Sequence, residues 1–262
     1  MTDNKPKISI ITVVYNGEKH LEQTIQSVIN QNYENLEYII IDGGSTDRTF
    51  DIIKKYEKHI DYWVSEPDEG IYDAMNKGIS IASGEYIAFL NADDWYNGGT
   101  LETISDYILK YRKDYFFANI DFYHNEKYIK TWVPKPKKYK RAMPIYHPAL
   151  FVKAEILKHH KFDTSYSIIA DYKFVVELIL ENRTYMYIPK TLTFFRDGGV
   201  SNTHNTQKDK ECFQLQYKYF GLFYACLGYM IGTRQFPIHH MVQFFIFVRE
   251  ILFAKKKNIV EA

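Results

Sequence analysis

Four apolar strands, each followed by a turn and a helical stretch, fill the first hundred residues, and few folds accept that alternation. Lys7 to Tyr15 (KISIITVVY) is rich in Ile and Val, reads as a strand apolar on both faces, and stops at the turn signal Asn16-Gly17. Leu21, Ile25, Val28 and Ile29 then recur at helical spacing between Gly17 and Gln31. A second strand, Leu36 to Ile41, runs into the glycine-rich loop Asp42 to Asp47, where Ser45 or Thr46 is placed to cap a helix bearing Phe50, Ile52 and Ile53. Tyr62 to Val64 reads as the third strand. Gly70 to Ser83 carries Ile71, Met75, Ile79 and Ala82 on a helical face, and Tyr86 to Leu90 is the fourth strand. Continuous apolar strands joined through helices predict an α/β fold, a mostly parallel Rossmann-like sheet flanked by helices.

Ligands of such sheets bind beyond the carboxyl ends of the strands. Those ends carry Tyr15-Asn16-Gly17, Asp42-Gly43-Gly44-Ser45, Ser65 to Gly70, and Asn91-Ala92-Asp93-Asp94-Trp95, all of them polar, acidic or glycine-bearing. An Asp pair after a strand is commonly a turn or a helix cap. On a rim with three other polar loops, Asp93 and Asp94 also suit a hard divalent cation, Mg2+ or Mn2+, that neutralises a diphosphate. Dinucleotide binding fails a direct test: GxGxxG should follow the first strand, and that loop reads Val14-Tyr15-Asn16-Gly17-Glu18. A Walker A sequence is likewise missing. The formal net charge of +1 gives no polyelectrolyte signal for nucleic acid. The two cysteines, Cys212 and Cys226, form neither a disulfide framework nor a zinc pattern, which fits a reducing cytosol.

Four segments in this order resemble the inverting, nucleotide-sugar-dependent glycosyltransferases of family 2, with the GT-A fold, as found among bacterial enzymes of surface polysaccharide and lipopolysaccharide synthesis. They are Ile8 to Asn16, Ile41 to Asp47, Gly70 to Gly78 (GIYDAMNKG), and Gly84 to Asp94 (GEYIAFLNADD). The resemblance implies that Thr12, Val13 and Tyr15 line the base and ribose pocket, that Asp42 binds the nucleoside, and that Asp68, Gly70, Asn76 and Lys77 frame the nucleotide. It places Asn91, Ala92 and Asp93 toward the ribose and Asp94 as the likelier direct metal ligand, with Asp93 as the second. Two positions depart from the family pattern: Gly43 replaces a common second acid, and Asn91 a common Asp.

Beyond the metal motif, helical spacing over Gly98 to Lys113 and strands over Tyr115 to Tyr123 and Lys127 to Val133 extend the sheet. Pro134 to Pro144 (PKPKKYKRAMP) reads as an exposed loop whose five basic residues are either a solvated run or an attractor for a phosphate-bearing acceptor or anionic lipid. A helix opens near Asp171 and runs to Asn182, which makes Asp171 an ordinary N-cap on sequence grounds alone. The resemblance implies instead that Asp171 is the catalytic base. His147, and Arg196 and Ser201 in a closing loop after the strand Thr191 to Phe195, are implied contacts of acceptor or diphosphate.

Tyr217 to Ala254 is aromatic and apolar but interrupted by Gly228, Gly232, Arg234, Pro237 and Arg249, so it predicts a C-terminal helical extension of two amphipathic helices and no membrane span. With the basic flank Lys255 to Lys257, these helices either pack on the core or lie on an anionic membrane surface. The expected organisation is a GT-A domain over 1–205, divided into a nucleotide-sugar half (1–97) and an acceptor half (98–205), followed by the helical region 206–262. The polar N-terminus shows no targeting segment, and a cytoplasmic enzyme, either free or peripheral on the inner face of the cytoplasmic membrane, is expected. The function implied is metal-assisted transfer of a sugar, UDP-linked in the first instance, to a hydroxyl of a glycan or lipid-linked acceptor. Alternatives are a non-catalytic nucleotide-sugar-binding partner subunit and a sugar nucleotidyltransferase.

Overall fold

The structure, a computed structural model, describes residues 5–197 and 206–232. The elements in chain order are β1 (Ile8–Val14), α1 (Leu21–Ile29), β2 (Leu36–Asp42), α2 (Thr49–Tyr56), β3 (Tyr62–Ser65), α3 (Ile71–Ile81), β4 (Tyr86–Phe89), β5 (Trp95–Tyr96) and α4 (Thr100–Tyr111). They continue with β6 (Tyr115–His124), β7 (Lys127–Trp132), β8 (Leu150–Lys153), α5 (Ala154–His159), α6 (Ala170–Leu180), β9 (Tyr185–Arg196), α7 (Thr206–Phe220) and α8 (Leu222–Gly232).

Among the described residues the strands form one sheet in the order β3-β2-β1-β4-β8-β6-β9-β5, with β7 paired to β6. The first four run parallel, as the repeated strand–helix units require. Alternate residues of each buried strand feed opposite cores: Ile11, Val13, Ile39 and Ile41 pack with Met75, Ile79 and Val175 on one face. Ile8, Ile10, Tyr38 and Ile40 pack with Leu21, Ile25 and Ile104 on the other. Two covered faces explain why these strands are apolar throughout rather than alternating.

Three differences from the sequence reading position the site. The four-residue strand β8 lies between β4 and β6, antiparallel to both, so the chain just before it, His147 to Ala149, sits at the carboxyl end of β4. Strand β9 is much longer than Thr191 to Phe195 and runs parallel to β6, which carries Arg196 to the same rim. Helix α2 begins at Thr49, and neither Ser45 nor Thr46 caps it; Asp47 Oδ1 accepts the Thr49 N–H at 2.9 Å instead, while Thr46 N–H binds Asn16 Oδ1 at 2.9 Å and ties two rim loops together.

The expected boundary at 205 falls outside the described residues. Beyond it, α7 places Leu215 in the same core as β1 and α6, and Gly221, at φ +81°, separates α7 from α8. No helix among the described residues is long and apolar enough to cross a membrane. Ser201 and the segment 233–262, with the second expected tail helix and its basic flank, lie outside the described residues.

Candidate active site

A cleft of about 1480 Å³ opens along the rim. One wall is built from the loops after β1, β2, β3 and β4, with Val13, Tyr15, Gly43, Gly44, Asp68, Gly70, Asn91, Ala92 and Asp93 on its surface. Tyr15 is 66% exposed and presents its ring to the cavity. The same cleft is lined by residues between Arg141 and His147 and between Ser167 and Tyr172, and by the α7/α8 hairpin through Lys208, Cys212, Gln216 and Tyr229.

Several expected site residues stand behind this surface. Thr12 is buried and shares a 3.1 Å hydrogen bond with the Tyr38 hydroxyl. Asp42 is buried too, and its carboxylate accepts the Ser65 hydroxyl at 2.6 Å, the Ser45 N–H and the Ser45 hydroxyl. It therefore ties the second and third rim loops together. Asn76 joins α3 to the acceptor half through paired 2.9 Å bonds with the Phe162 carbonyl and N–H. The Lys77 ammonium is held by Glu66 at 3.0 Å, Asp73 at 3.5 Å and the Pro67 carbonyl at 3.2 Å.

The Asp pair divides. Asp94, expected to be the more direct metal ligand, is fully buried and lies off the cleft; its Oδ1 accepts the Arg196 N–H at 3.1 Å and its main-chain carbonyl accepts the Thr24 hydroxyl at 2.7 Å. Burial, followed by repulsion from Asp93, pushes its carboxyl well above the usual range. Asp93 faces the cavity and makes no side-chain hydrogen bond to another described residue. Burial raises its pKa, against the favourable charges of His20, Arg196 and His147.

Arg196 likewise lies off the lining of the cleft. Its guanidinium donates to the Asp93 carbonyl at 3.3 Å, to Gln23 Oε1 at 2.7 Å and to Glu126, and lies over the Trp95 ring at 4.9 Å. It is a brace for the loop that carries Asp93. Space for Asp68 is provided by Gly43: a Cβ there would lie 2.5 Å from Asp68 Oδ2, so the acid missing at position 43 is matched by a neighbouring acid leaning into the same place.

Asp171 opens α6 and lines the same cleft as Asp93. Its Oδ1 accepts the Tyr172 N–H at 2.8 Å and lies 3.0 Å from the Tyr72 hydroxyl, and its Oδ2 accepts His147 Nδ1–H at 2.8 Å. Burial first, then the Asp171 charge, pushes the Tyr72 hydroxyl well above its ordinary range, so it stays protonated and can donate. The stretch before α6 is gripped from α7. Glu211, 2% exposed, accepts Ser167 N–H at 2.9 Å, Ser167 Oγ–H at 2.7 Å, Ile168 N–H at 3.0 Å and Ile169 N–H at 3.3 Å.

Sequence reasoning missed Lys19, His20, Tyr72 and the α7 residues of the cleft. Tyr72 lies inside the quoted GIYDAMNKG segment, whereas α7 carries no local signal, since its partners are some forty residues earlier in the chain.

The family 2 glycosyl transferase pattern matches residues 9–166. An uncharacterised glycosyltransferase of Haemophilus influenzae is 31% identical over 239 residues, spanning 79% of this chain and 71% of that protein. The minor teichoic acid biosynthesis protein GgaB of Bacillus subtilis is 26% identical over 223 residues, 78% of this chain and 25% of its own length. Among solved structures, TarS 1-349 of S. aureus in complex with UDP-GlcNAc superposes with a TM-score of 0.64 at 18% identity, over 80% of this chain and 64% of that one. The mannosyltransferase PcManGT of Pyrobaculum calidifontis, in complex with GDP-Man and Mn2+, gives 0.61 at 15% identity, over 93% and 80%. The parallel half-sheet, its polar rim and the four segments along it are thus those of a GT-A fold, and the chain is a glycosyltransferase that belongs to glycosyl transferase family 2.

Proposed function

We propose that this glycosyltransferase is inverting, that it takes a sugar from a UDP-linked donor, and that it transfers the sugar to a hydroxyl of a glycan or lipid-linked acceptor in cell-surface polysaccharide synthesis. The observation that carries the reading is that Asp93 and the Asp171 centre line one cleft. The relative GgaB, named for teichoic acid biosynthesis, supports the polysaccharide role, and the UDP-GlcNAc complex of TarS supports the donor class.

On this reading Val13, Tyr15, Asp68, Gly70, Asn91 and Ala92 receive the nucleotide, Tyr15 by stacking on the base. Among the described residues no three carboxylate, His or Cys side chains cluster as a closed metal cage. The Asp93 carboxylate, which lines the cleft and bonds no other described residue, fits a hard cation held by one protein ligand, with the remaining positions left to diphosphate and water. Bound Mg2+ or Mn2+ would neutralise the charge of the leaving diphosphate. The chain itself holds Asp93 in place through Arg196 and Asp94, and takes up the acceptor proton at the centre built on Asp171.

The basic loop and the α7/α8 hairpin form a mixed aromatic and cationic surface beside the cleft. Lys140 lies 5.2 Å from the Tyr224 ring, and Phe223 is 71% exposed. That surface suits peripheral contact with an anionic membrane. The deciding experiment is a screen of nucleotide sugars for release of free nucleoside diphosphate, with and without Mn2+. UDP release that depends on Mn2+ is expected. Pyrophosphate release from a nucleoside triphosphate would point to a nucleotidyltransferase, and UDP binding without any turnover to a non-catalytic subunit.

A further inference from the structure

The basic loop between β7 and His147 sorts its five cations, Lys135, Lys137, Lys138, Lys140 and Arg141. Its neck is closed: the Lys135 N–H donates to the Pro144 carbonyl at 2.9 Å, and the flanking Trp132 and Tyr146 rings meet edge to face at 4.6 Å. Its tip is fastened to α6 and α7. The Tyr139 carbonyl accepts the Tyr172 hydroxyl at 2.6 Å, and the Arg141 carbonyl accepts Gln216 Nε2–H at 3.0 Å. Lys140 lies over the Tyr224 ring at 5.2 Å and the Phe220 ring at 5.8 Å, whereas Arg141, alone among the five, lines the cleft.

Gln216 is the strut that sets Arg141. It is 2% exposed, and its Nε2 also lies 3.4 Å from the Tyr172 hydroxyl. Gly228 of α8 leaves the space its amide fills, since a Cβ there would collide with that amide. Lys208, Cys212 and Gln216 recur every four residues, so one face of α7 lines the cleft. Lys208 and Asp209, which α7 adds to the lining, are opposite in sign and formally cancel. Arg141 itself is exposed, and its guanidinium makes no ion pair or hydrogen bond with another described residue. A main chain held by a buried amide, beneath a fork of five open donors, suits an oxyanion such as phosphate.

We infer that Arg141 is an anion subsite for the second substrate: it binds a phosphate group, monoester or diester, on the molecule whose hydroxyl is offered to Asp171. The inference rests on the transfer reading above and names the acceptor class within it. The donor's own diphosphate is a different ligand, received by the loops after β1 to β4. Arg141 is tied instead, through Gln216, to Tyr172, the residue after Asp171 and the donor of an N–H to its carboxylate. Loop, α6 and α7 therefore form one bonded unit that carries both the guanidinium and the base. An acceptor anchored by its anion loses freedom before its hydroxyl reacts, and no bond is made or broken at Arg141.

The test uses the full chain saturated with UDP and Mn2+, so that the donor site is closed to other phosphates, and reads binding by calorimetry. The probes are glucose 1-phosphate, N-acetylglucosamine 1-phosphate and glycerol 3-phosphate, each against its unphosphorylated counterpart, and a decyl phosphodiester of glucose against decyl glucoside. At least one phosphorylated probe should bind about tenfold or more tightly than its counterpart. Arg141→Gln should erase that ratio and Arg141→Lys should keep part of it, with UDP affinity within about threefold of wild type in both. Gly228→Ala, which pushes Gln216 off the Arg141 carbonyl, should shrink the ratio while retained UDP binding reports an intact fold. A preference confined to the decyl diester supports the subsite and assigns its phosphate to a lipid carrier; a preference that extends to the water-soluble probes supports it and assigns a phosphorylated glycan. Equal affinity for phosphorylated and neutral probes in wild type, or a ratio unchanged in R141Q, would overturn the inference. So would a loss of UDP affinity of about tenfold or more in R141Q, which would give Arg141 to the donor diphosphate. Failure of wild type to turn over any UDP-sugar would sink the transfer reading alone, because the phosphate ratio is read without turnover.

Discussion

The main-chain N–H of Arg196 donates to the carboxylate of Asp94 at 3.1 Å, and this one bond joins the end of β9 to the loop after β4. Through it the last strand of the sheet holds the residue adjacent to Asp93, and the Arg196 guanidinium then closes on the Asp93 carbonyl. The loop is therefore fixed from behind, with Asp93 left facing the cavity.

That arrangement separates the two aspartates experimentally. Asp93→Ala should weaken Mn2+-dependent UDP binding by on the order of tenfold or more, measured by calorimetry with and without Mn2+. Asp94→Asn should change UDP affinity by no more than about threefold. Equal losses in the two variants would return Asp94 to the metal.

Asp94 also has a stability signature. Its folded pKa is raised by burial, so the native state binds a proton more tightly than the unfolded chain. Its contribution is fully present below the unfolded value of about 3.9 and is lost as pH rises through the folded value. Thermal denaturation from pH 4 upward should show wild type losing stability relative to Asp94→Asn, which mimics the neutral carboxyl. Parallel curves would show that Asp94 does not titrate differently on folding.

Glu211 should behave in the opposite sense. Burial pushes its carboxyl up, but Ser167, Gln207 and the amides of Ser167 and Ile168 outweigh that and hold its pKa below the ordinary value. Stability from this group is present above the unfolded value of about 4.3 and is lost as pH falls through the folded one. Glu211→Gln turns an N–H₂ toward those amides and should cost about 1–3 kcal/mol at pH 7 with a shallower acid limb, read by urea denaturation. Transfer should fall with it, because the loop it grips leads directly into Asp171.

Gly43→Ala must displace the Asp68 carboxylate, which otherwise accepts the Gly70 N–H at 2.8 Å. UDP affinity should drop by roughly tenfold, and Asp68→Ala should relieve part of the loss in the double variant. Strict additivity of the two substitutions would show that the side chains do not share the space.

Reversing charge at Lys137, Lys138 and Lys140 together should abolish sedimentation with vesicles containing anionic lipid while leaving UDP binding intact. Unchanged sedimentation would remove the basic loop from membrane contact.

Much of this was legible in the chain. The parallel half-sheet, the rim loops and the Asp pair follow from apolar runs and turn signals within a few residues of one another, and local patterning reports such features directly. Gly43 was visible as a departure; its reason was not, because Asp68 reaches it from another loop. Strand β8 and helix α5 are four and six residues long; β3 and β4 are as short as β8 but are marked by their place in the strand–helix alternation, which β8 and α5 lie outside.

By itself the sequence determined an α/β glycosyltransferase fold with a polar rim and nominated Asp93, Asp94, Asp171 and His147. Only the tertiary structure decided how they are placed. It sent Asp94 inward and Asp93 outward, turned Arg196 into a brace, placed His147 against Asp171, and enlisted α7 to hold the loop before α6. The physical reason is that side-chain direction and hydrogen-bond partnership depend on which strands become neighbours, and antiparallel β8 and the long β9 make neighbours of residues far apart in sequence.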